Sequence, residues 1–478
     1  MRLWIALGVL ALRALPRFPE SVDDVYITAN YARHWVATGR LEWTNGERVE
    51  GYSSFASVIL AAVLHLGGLP TELALKWIAG GSMAGIAWIA HRYFPRTIHG
   101  TMGFFALFLA TPTVRWSVDG MDGPLFALAL AFGWLSVQRG QLQMGFAWLA
   151  CSALVRPEGM VHLLAAVFLR VWQGGVADTV RQASGPFLAL AMYHSLRTAY
   201  FGDLVPTPTL VKVIATPLSW SGLGQALTDV TPYLGVFLLL RPTFSKPAIV
   251  AMVPLVLQVV VETRASGDWM SGGRLVMPGA IVTAIMLANV VVSRRNPNEN
   301  VSFLSRPTRP SFPAVSELLA CSLAVFGCFY LPNAWGQFAY LYQPLPTVGT
   351  LISGFNRGLV TPLPEDVAWI IDHVPAGECV LVNDVGMVGG IPDVCILDIR
   401  GLVTRESAEA EAAGQHERWL TGLTDGESRP FAVRVAWWGS EARVVPDWLS
   451  PKYQEADYLR YPDGVVAWFS LANAPAAP

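Results

Sequence analysis

Charge is scarce in this chain. Of 478 residues only 14% are Asp, Glu, Lys or Arg, against 53% that are hydrophobic, about half the ~25% charge of ordinary soluble domains. A single water-bathed core of this size would leave much apolar surface exposed, and mean hydropathy is +0.42, so the bulk of the chain is read as integral to a membrane. Net charge is −2, which excludes a nucleic-acid partner held by overall positive charge. The apolar content equally excludes a disordered chain.

Cysteine is also sparse. Cys151, Cys321 and Cys328 lie in apolar runs, where a thiol serves as a small core hydrophobe. Cys379 and Cys395 sit close together in a polar region and can pair if that region faces an oxidising space. No CxxC or His-paired spacing marks a zinc site, and His34, His65, His91 and His162 are scattered. Met1 to Leu15 lacks a small-residue cleavage pattern and reads as an uncleaved first span. No solenoid period is visible, nor the two matching sets of interrupted spans of an inverted-repeat transporter.

What the chain does have is apolar runs, at 2–15, 53–68, 72–91, 100–112, 122–138, 142–154, 159–172, 184–200, 223–240, 247–262, 274–293 and 314–332. A crossing needs roughly 20 apolar residues, fewer where helices are short or buried. Arg294, Arg295, Arg306 and Arg309 crowd one connection, which the placement of basic residues makes cytoplasmic. Arg241 with Lys246, and Arg170 with Arg181, mark two more. Loops 201–222 and 263–273 then face the other side, and the last span leaves 333–478 outside. That arrangement needs an odd number of crossings. Arg156-Pro157-Glu158-Gly159 is therefore read as a break within one crossing over 142–172, giving about 11 spans; a re-entrant 100–112 is the alternative. The expected fold is mainly α: a polytopic transmembrane bundle over 1–332, with a first outer loop at 16–52.

From residue 333 the apolar runs shorten and charge returns. The pattern predicts helices over 364–374 and 405–421 and strands near 378–384, 394–399, 432–438 and 464–470, a small α/β domain over 333–478. Gly386, Gly389 and Gly390 superficially suggest a dinucleotide turn, but the spacing is not GxGxxG, and a tight inter-strand turn is the reading adopted.

The first outer loop carries the densest chemistry. Asp23 and Asp24 follow an apolar span by a few residues, and Val25, Ala29, Ala32 and Val36 recur at helical spacing, as in a short interfacial helix. Tyr26, Asn30 and Arg33 form a polar stripe beside the acids. Two readings stand: Ser21 and the acids cap the helix and complement its dipole, or one carboxylate is a general base at the membrane edge.

A longer pattern bears on that choice. Asp23-Asp24-Val25-Tyr26-Ile27, Tyr31-Ala32-Arg33, Gly39-Arg40-Leu41 and Asn45-Gly46-Glu47-Arg48-Val49-Glu50-Gly51-Tyr52-Ser53 come in order. Gly120-Met121-Asp122-Gly123, Arg156-Pro157-Glu158-Gly159, Tyr200-Phe201-Gly202-Asp203-Leu204-Val205-Pro206-Thr207, Gly267-Asp268-Trp269-Met270, Asp384-Val385-Gly386 and Asp398-Ile399-Arg400-Gly401-Leu402 follow. Together they resemble the GT-C glycosyltransferases, membrane enzymes that use polyprenyl-phosphate sugars, and are most similar to bacterial members akin to terminal β-1,2-arabinofuranosyltransferases. The chain departs from the family where Asp122-Gly123 replaces the usual Glu of a Gly-Met-Glu-Thr stretch.

The resemblance implies transfer of a sugar, arabinofuranose by family or else a hexose, from a polyprenyl-phosphate donor to an extracytoplasmic glycan or glycolipid hydroxyl, at a bacterial inner membrane. It makes Asp23 the base, inverting the anomeric carbon, and Asp24 its partner, orienting it or holding a divalent cation such as Mg²⁺ or Ca²⁺. A departing phosphate needs positive charge. Candidates are Arg274, preceded by Gly272-Gly273 that let backbone approach a phosphate, Lys212 after a proline-rich loop, Arg33, Arg48 and Arg156. Asp268 with Trp269, and Glu50, Tyr52 and Tyr26, are candidates for holding sugar or acceptor. The plainer readings are an interfacial arginine for Arg274, an aromatic anchor for Trp269 and a mutual ion pair for Arg156 and Glu158. A transporter or flippase for a lipid-linked or small polar substrate, and a non-catalytic membrane scaffold whose outer domain binds a partner, are the rival classes.

Overall fold

A computed structural model describes residues 1–14, 18, 21–44, 46–173, 175–214, 220–242, 245–265, 270, 272–295, 365–391, 393–427, 429–438, 445–461 and 464–471. The expected span 314–332, Cys321, Cys328, Arg306, Arg309, Asp268 and Trp269 lie outside the described residues. The protein is mainly helical. By contacts the described chain falls into two compact units, one drawn from Met1–Glu20, Lys76–Met192 and Leu218–Leu359, the other from Ser21–Leu75, Tyr193–Pro217 and Val360–Pro478.

Each described apolar run forms a helix. They are α1 (Arg2–Ala14), α3 (Phe55–Leu66), α4 (Thr71–Tyr93), α5 (Ile98–Leu109), α7 (Gly123–Gln138), α8 (Leu142–Val155), α9 (Gly159–Trp172), α10 (Val176–Phe201), α12 (Trp220–Leu240), α13 (Lys246–Arg264) and α14 (Met277–Arg295). Between them lie α2 (Asp23–Thr38), α6 (Thr111–Arg115) and α11 (Thr207–Thr209). Local chemistry sets the ends: the Ser54, Thr97 and Ser245 side chains accept from the amides of Ser57, Gly100 and Ala248, satisfying donors that the first turn leaves open. Among the described residues four helices, α4, α12, α13 and the stretch Met277–Arg294, are long and apolar enough to cross a membrane. Trp4, Phe168, Trp172, Leu188, Trp220, Leu238 and Ile249 lie exposed on the first unit, a quantity of outward apolar surface that belongs in lipid rather than water.

The break at Arg156–Glu158 is sharper than a kink in one crossing. α8 and α9 are separate helices packed on each other. A Cβ on Gly159 would lie 2.3 Å from the Ala153 amide nitrogen, so the chain turns back tightly there. At 14 residues each these helices are about 21 Å long, short of the ~30 Å hydrocarbon core.

In the second unit, α15 (Glu365–His373), α16 (Val385–Val388), α17 (Arg405–Ala412) and α18 (His416–Asp425) accompany five strands: β1 (Cys379–Val382), β2 (Cys395–Asp398), β3 (Ala432–Trp438), β4 (Tyr453–Tyr461) and β5 (Gly464–Leu471). The sheet order is β2-β1-β3-β5-β4, parallel for β1 with β2 and with β3 and antiparallel elsewhere. Leu381, Val433, Ala467, Phe469 and Leu420 fill one core. The single helix expected over 405–421 is two, parted at Gly414 with φ +66°, a left-handed bend that an L side chain resists. β4 was not predicted. It is an edge strand rich in charge, with a register shift between Glu455 and Asp457, so it lacks clean alternation, as protected edges do. Cys379 and Cys395 are disulfide-bonded across β1 and β2.

Candidate active site

The two acids open α2. The helix's N-cap is Val22, with no side-chain cap bond of its own, and Asp23 and Asp24 in the first turn complement the dipole. Asp23 has a different partner. Its Oδ2 accepts from the Gly386 amide at 2.7 Å and its Oδ1 from the Met387 amide at 2.9 Å. Farther along the same helix, Asn30 donates to the Gly386 carbonyl at 2.7 Å, and Arg33 donates to Asn30 Oδ1 at 2.5 Å and Glu72 Oε1 at 3.1 Å. One face of α2 thus grips the turn α16.

That grip explains the glycines read above as a plain inter-strand turn. A Cβ on Gly386 would sit 1.9 Å from the Asp23 carbonyl oxygen, and one on Gly389 2.3 Å from the Trp43 ring. Only residues without side chains let the backbones meet so closely. Desolvation, and next the charge of Asp384, push the Asp23 carboxyl up to about 7 against the two amides that hold it down, near the value that suits a general base at neutral pH. Asp384 lies opposite the buried Arg434, its Oδ2 3.6 Å from the guanidinium Nη1.

Asp24 Oδ2 faces Lys212 Nζ at 3.4 Å, and Lys212 stands on a π-helical turn, Leu210–Ile214, a distortion common at functional sites. The ammonium takes the side of Asp24 where a divalent ion would need more oxygen. Among the described residues no group of three His, Cys, Asp or Glu is placed to hold a metal. The described residues do not make a divalent-cation set, and no step below runs through one.

Glu50 and Tyr52, expected to touch sugar or acceptor, are each only 2% exposed. Glu50 pairs with Arg197, which also donates to the carbonyls of Asp203 and Leu204 at 3.1 and 2.8 Å. Desolvation pushes Glu50 up to about 7 despite that guanidinium. Tyr52 packs edge-on against Tyr31 and Phe201. These residues build the loop rather than line an open surface, and burial of that depth argues against direct sugar contact. Thr207 donates through its hydroxyl to the Glu50 and Leu402 carbonyls at 2.9 and 2.5 Å, and Arg405 reaches Glu47, the Arg48 and Phe201 carbonyls and Asp203. Motif stretches separated by more than a hundred residues therefore meet in one knot. Arg48 stacks on the Tyr200 ring at 5.5 Å. Tyr26 is half-buried beside the acids.

In the first unit, Arg156 is paired with Asp122 Oδ1 and Glu158 Oε1, both at 2.9 Å, so its donors already face two acids. Arg274 is buried and donates to Met270 Sδ at 3.1 Å. The glycines before it, with φ +108° and +66°, press against Arg115 and Asp229, which accounts for them without a phosphate. Asp119, which sequence reasoning missed, is pushed up to about 7 by burial, against the pull of Arg274 and Arg115.

One arrangement invites over-reading. Ser407, His416 and Glu411 stand in the order of a catalytic triad, with His416 Nε2 3.4 Å from the serine hydroxyl and Nδ1 3.1 Å from Glu411. Yet His416 Nε2 is 2.6 Å from the Ile399 carbonyl, so it carries the proton and cannot accept one from Ser407. The serine is also wholly buried and donates to the same carbonyl. The trio braces the domain.

No protein-family model matches the chain, and no curated protein sequence does. Among solved structures it is similar to ArnT from Cupriavidus metallidurans bound to undecaprenyl phosphate, at 15% identity and a TM-score of 0.48, covering 99% of this chain and 98% of that one. It is similar also to ArnT from the same organism in the apo state, at 14% identity and a TM-score of 0.43, covering 99% of each chain.

Proposed function

We propose that the protein is a membrane glycosyltransferase of the GT-C type, moving a sugar from a polyprenyl-phosphate donor to a hydroxyl of an extracytoplasmic glycan or glycolipid. The observation that carries the reading is Asp23: a half-buried carboxyl at the start of an interfacial helix, held by two backbone amides and raised to about 7. Each oxygen keeps a lone pair for an incoming proton.

In this scheme the acceptor hydroxyl gives its proton to Asp23 as its oxygen bonds to the anomeric carbon. The bond from that carbon to the phosphate oxygen breaks, and the phosphate leaves with the electron pair. A single displacement inverts the anomeric carbon. Lys212, 36% exposed at its side chain and 3.4 Å from Asp24, supplies positive charge for the leaving phosphate, and Asp24 positions that ammonium. Arabinofuranose is the sugar proposed, from the sequence resemblance. Arg33, 44% exposed at its side chain, is proposed as a second contact to the donor phosphate, and Tyr26 as a contact on the sugar side. The setting is a bacterial plasma membrane with the tail domain outside.

Purified protein, a panel of radiolabelled polyprenyl-phosphate sugars and a crude envelope acceptor test the scheme. Asp23→Asn is expected to lower transfer by about 10²–10⁴-fold with donor binding retained. Undiminished turnover rejects the base. Donor movement across a bilayer without transfer would favour the flippase instead.

A further inference from the structure

The turn α16 is capped from elsewhere in the sequence. Asp384 occupies its N-cap position, yet makes no capping hydrogen bond. The amides that an N-cap side chain ordinarily takes are those of the second and third residues of the turn, here Gly386 and Met387. Both are taken by Asp23, 363 and 364 positions away. Asp384 instead faces Arg434, which projects from β3, is 1% exposed and lies over the Trp468 ring at 5.9 Å. Two carboxylates therefore contend for one pair of amides, and a buried arginine decides between them.

We propose that Asp384 and Arg434 are positioning residues for the reaction assigned to Asp23: by drawing Asp384 away from its own turn, Arg434 leaves the two amides open, and they fix the Asp23 carboxylate in place. This rests on Asp23 being the base. The charged groups around Asp23 are Asp24 on its own helix, Asp384 at the end of β1, and behind them Lys212 on the π-turn and Arg434 on β3.

The arrangement predicts a rescue. Arg434→Gln frees Asp384 to cap α16 and displaces Asp23, so kcat falls at least about tenfold while KM for the donor stays within about threefold. Adding Asp384→Ala removes the competitor and returns kcat to that of Asp384→Ala alone. A double variant no better than Arg434→Gln overturns the proposal; since a buried ion pair that is merely structural can also recover when both partners are removed, the protonation of Asp23 is the readout that separates positioning from bracing. Should Arg434→Gln fail to fold, Asp384→Asn decides. Infrared titration of the full protein, with Asp23→Asn subtracted, reports the protonation of Asp23 whether or not any sugar is transferred. Its midpoint is expected to drop by about one pH unit when the neighbouring charge is removed, and an unmoved midpoint refutes the coupling. A shifted midpoint in a protein that transfers no sugar would instead leave the positioning intact and sink the enzyme reading.

Discussion

At the scale of single residues, proton affinity separates groups that composition cannot. Asp23 must be ionised to act as base, and its carboxyl titrates at about 7. Transfer at saturating donor is therefore expected to rise about tenfold per pH unit below that value and to level off above it; a flat profile from pH 5 to 9 contradicts the assignment. Glu50 behaves differently because it is a structural acid. The folded state holds its proton more tightly than the unfolded chain between about 4.5 and 7, so this group's contribution to stability declines as pH rises through that window. Arg197 limits the decline by pairing with the carboxylate. Arg197→Ala leaves a buried charge without its partner and is expected to cost about 3–5 kcal/mol at pH 8, less at pH 5, by denaturant unfolding in detergent.

At the scale of elements, close backbone approach is the organising device. The Asp23, Asn30 and Trp43 contacts with α16 require bare Cα atoms at Gly386 and Gly389. Gly386→Ala forces the turn off α2 and is expected to destabilise by about 1–3 kcal/mol while abolishing transfer. Gly422→Ala, on the open face of α18 with nothing within 4 Å of its Cβ, is the control and is expected to stabilise by about 0.5–1 kcal/mol. Thermal unfolding of the two variants side by side checks both, and equal effects would show that the contact has no special role. The glycine cluster was plain in the sequence, but the partner it accommodates was not, since no local pattern reports a helix more than 350 residues away.

At the scale of the whole molecule, apolar runs translate directly into helices because a span must satisfy its own backbone in lipid. The orientation argument makes a definite expectation. Val445→Cys, at an exposed position of the tail, should react with an impermeant maleimide in intact spheroplasts, and Arg294→Cys should react only after lysis, both in a background with Cys151, Cys321 and Cys328 replaced. Labelling in the opposite sense would invert the topology and remove the tail domain from the side where a lipid-linked donor is presented to outer acceptors.

The sequence by itself determined the helical membrane character, the position of eleven described helices, four of the five strands and the acidic pair, because hydropathy, periodicity and charge are local quantities. It did not determine that the chain reverses at Arg156–Glu158 so that α8 and α9 pack on each other, that 405–421 is two helices, or that Tyr453–Tyr461 pairs at a sheet edge, since a tight reversal, a left-handed residue and a charged edge strand leave weak periodic signals. Nor could it show that Glu50 and Tyr52 are buried, or that Asp23 and Asp384 meet at one turn with Arg434 beside Asp384. Those facts depend on which distant segments share a core, and only the tertiary structure decides how desolvation and a neighbouring charge set the proton affinity of a carboxyl.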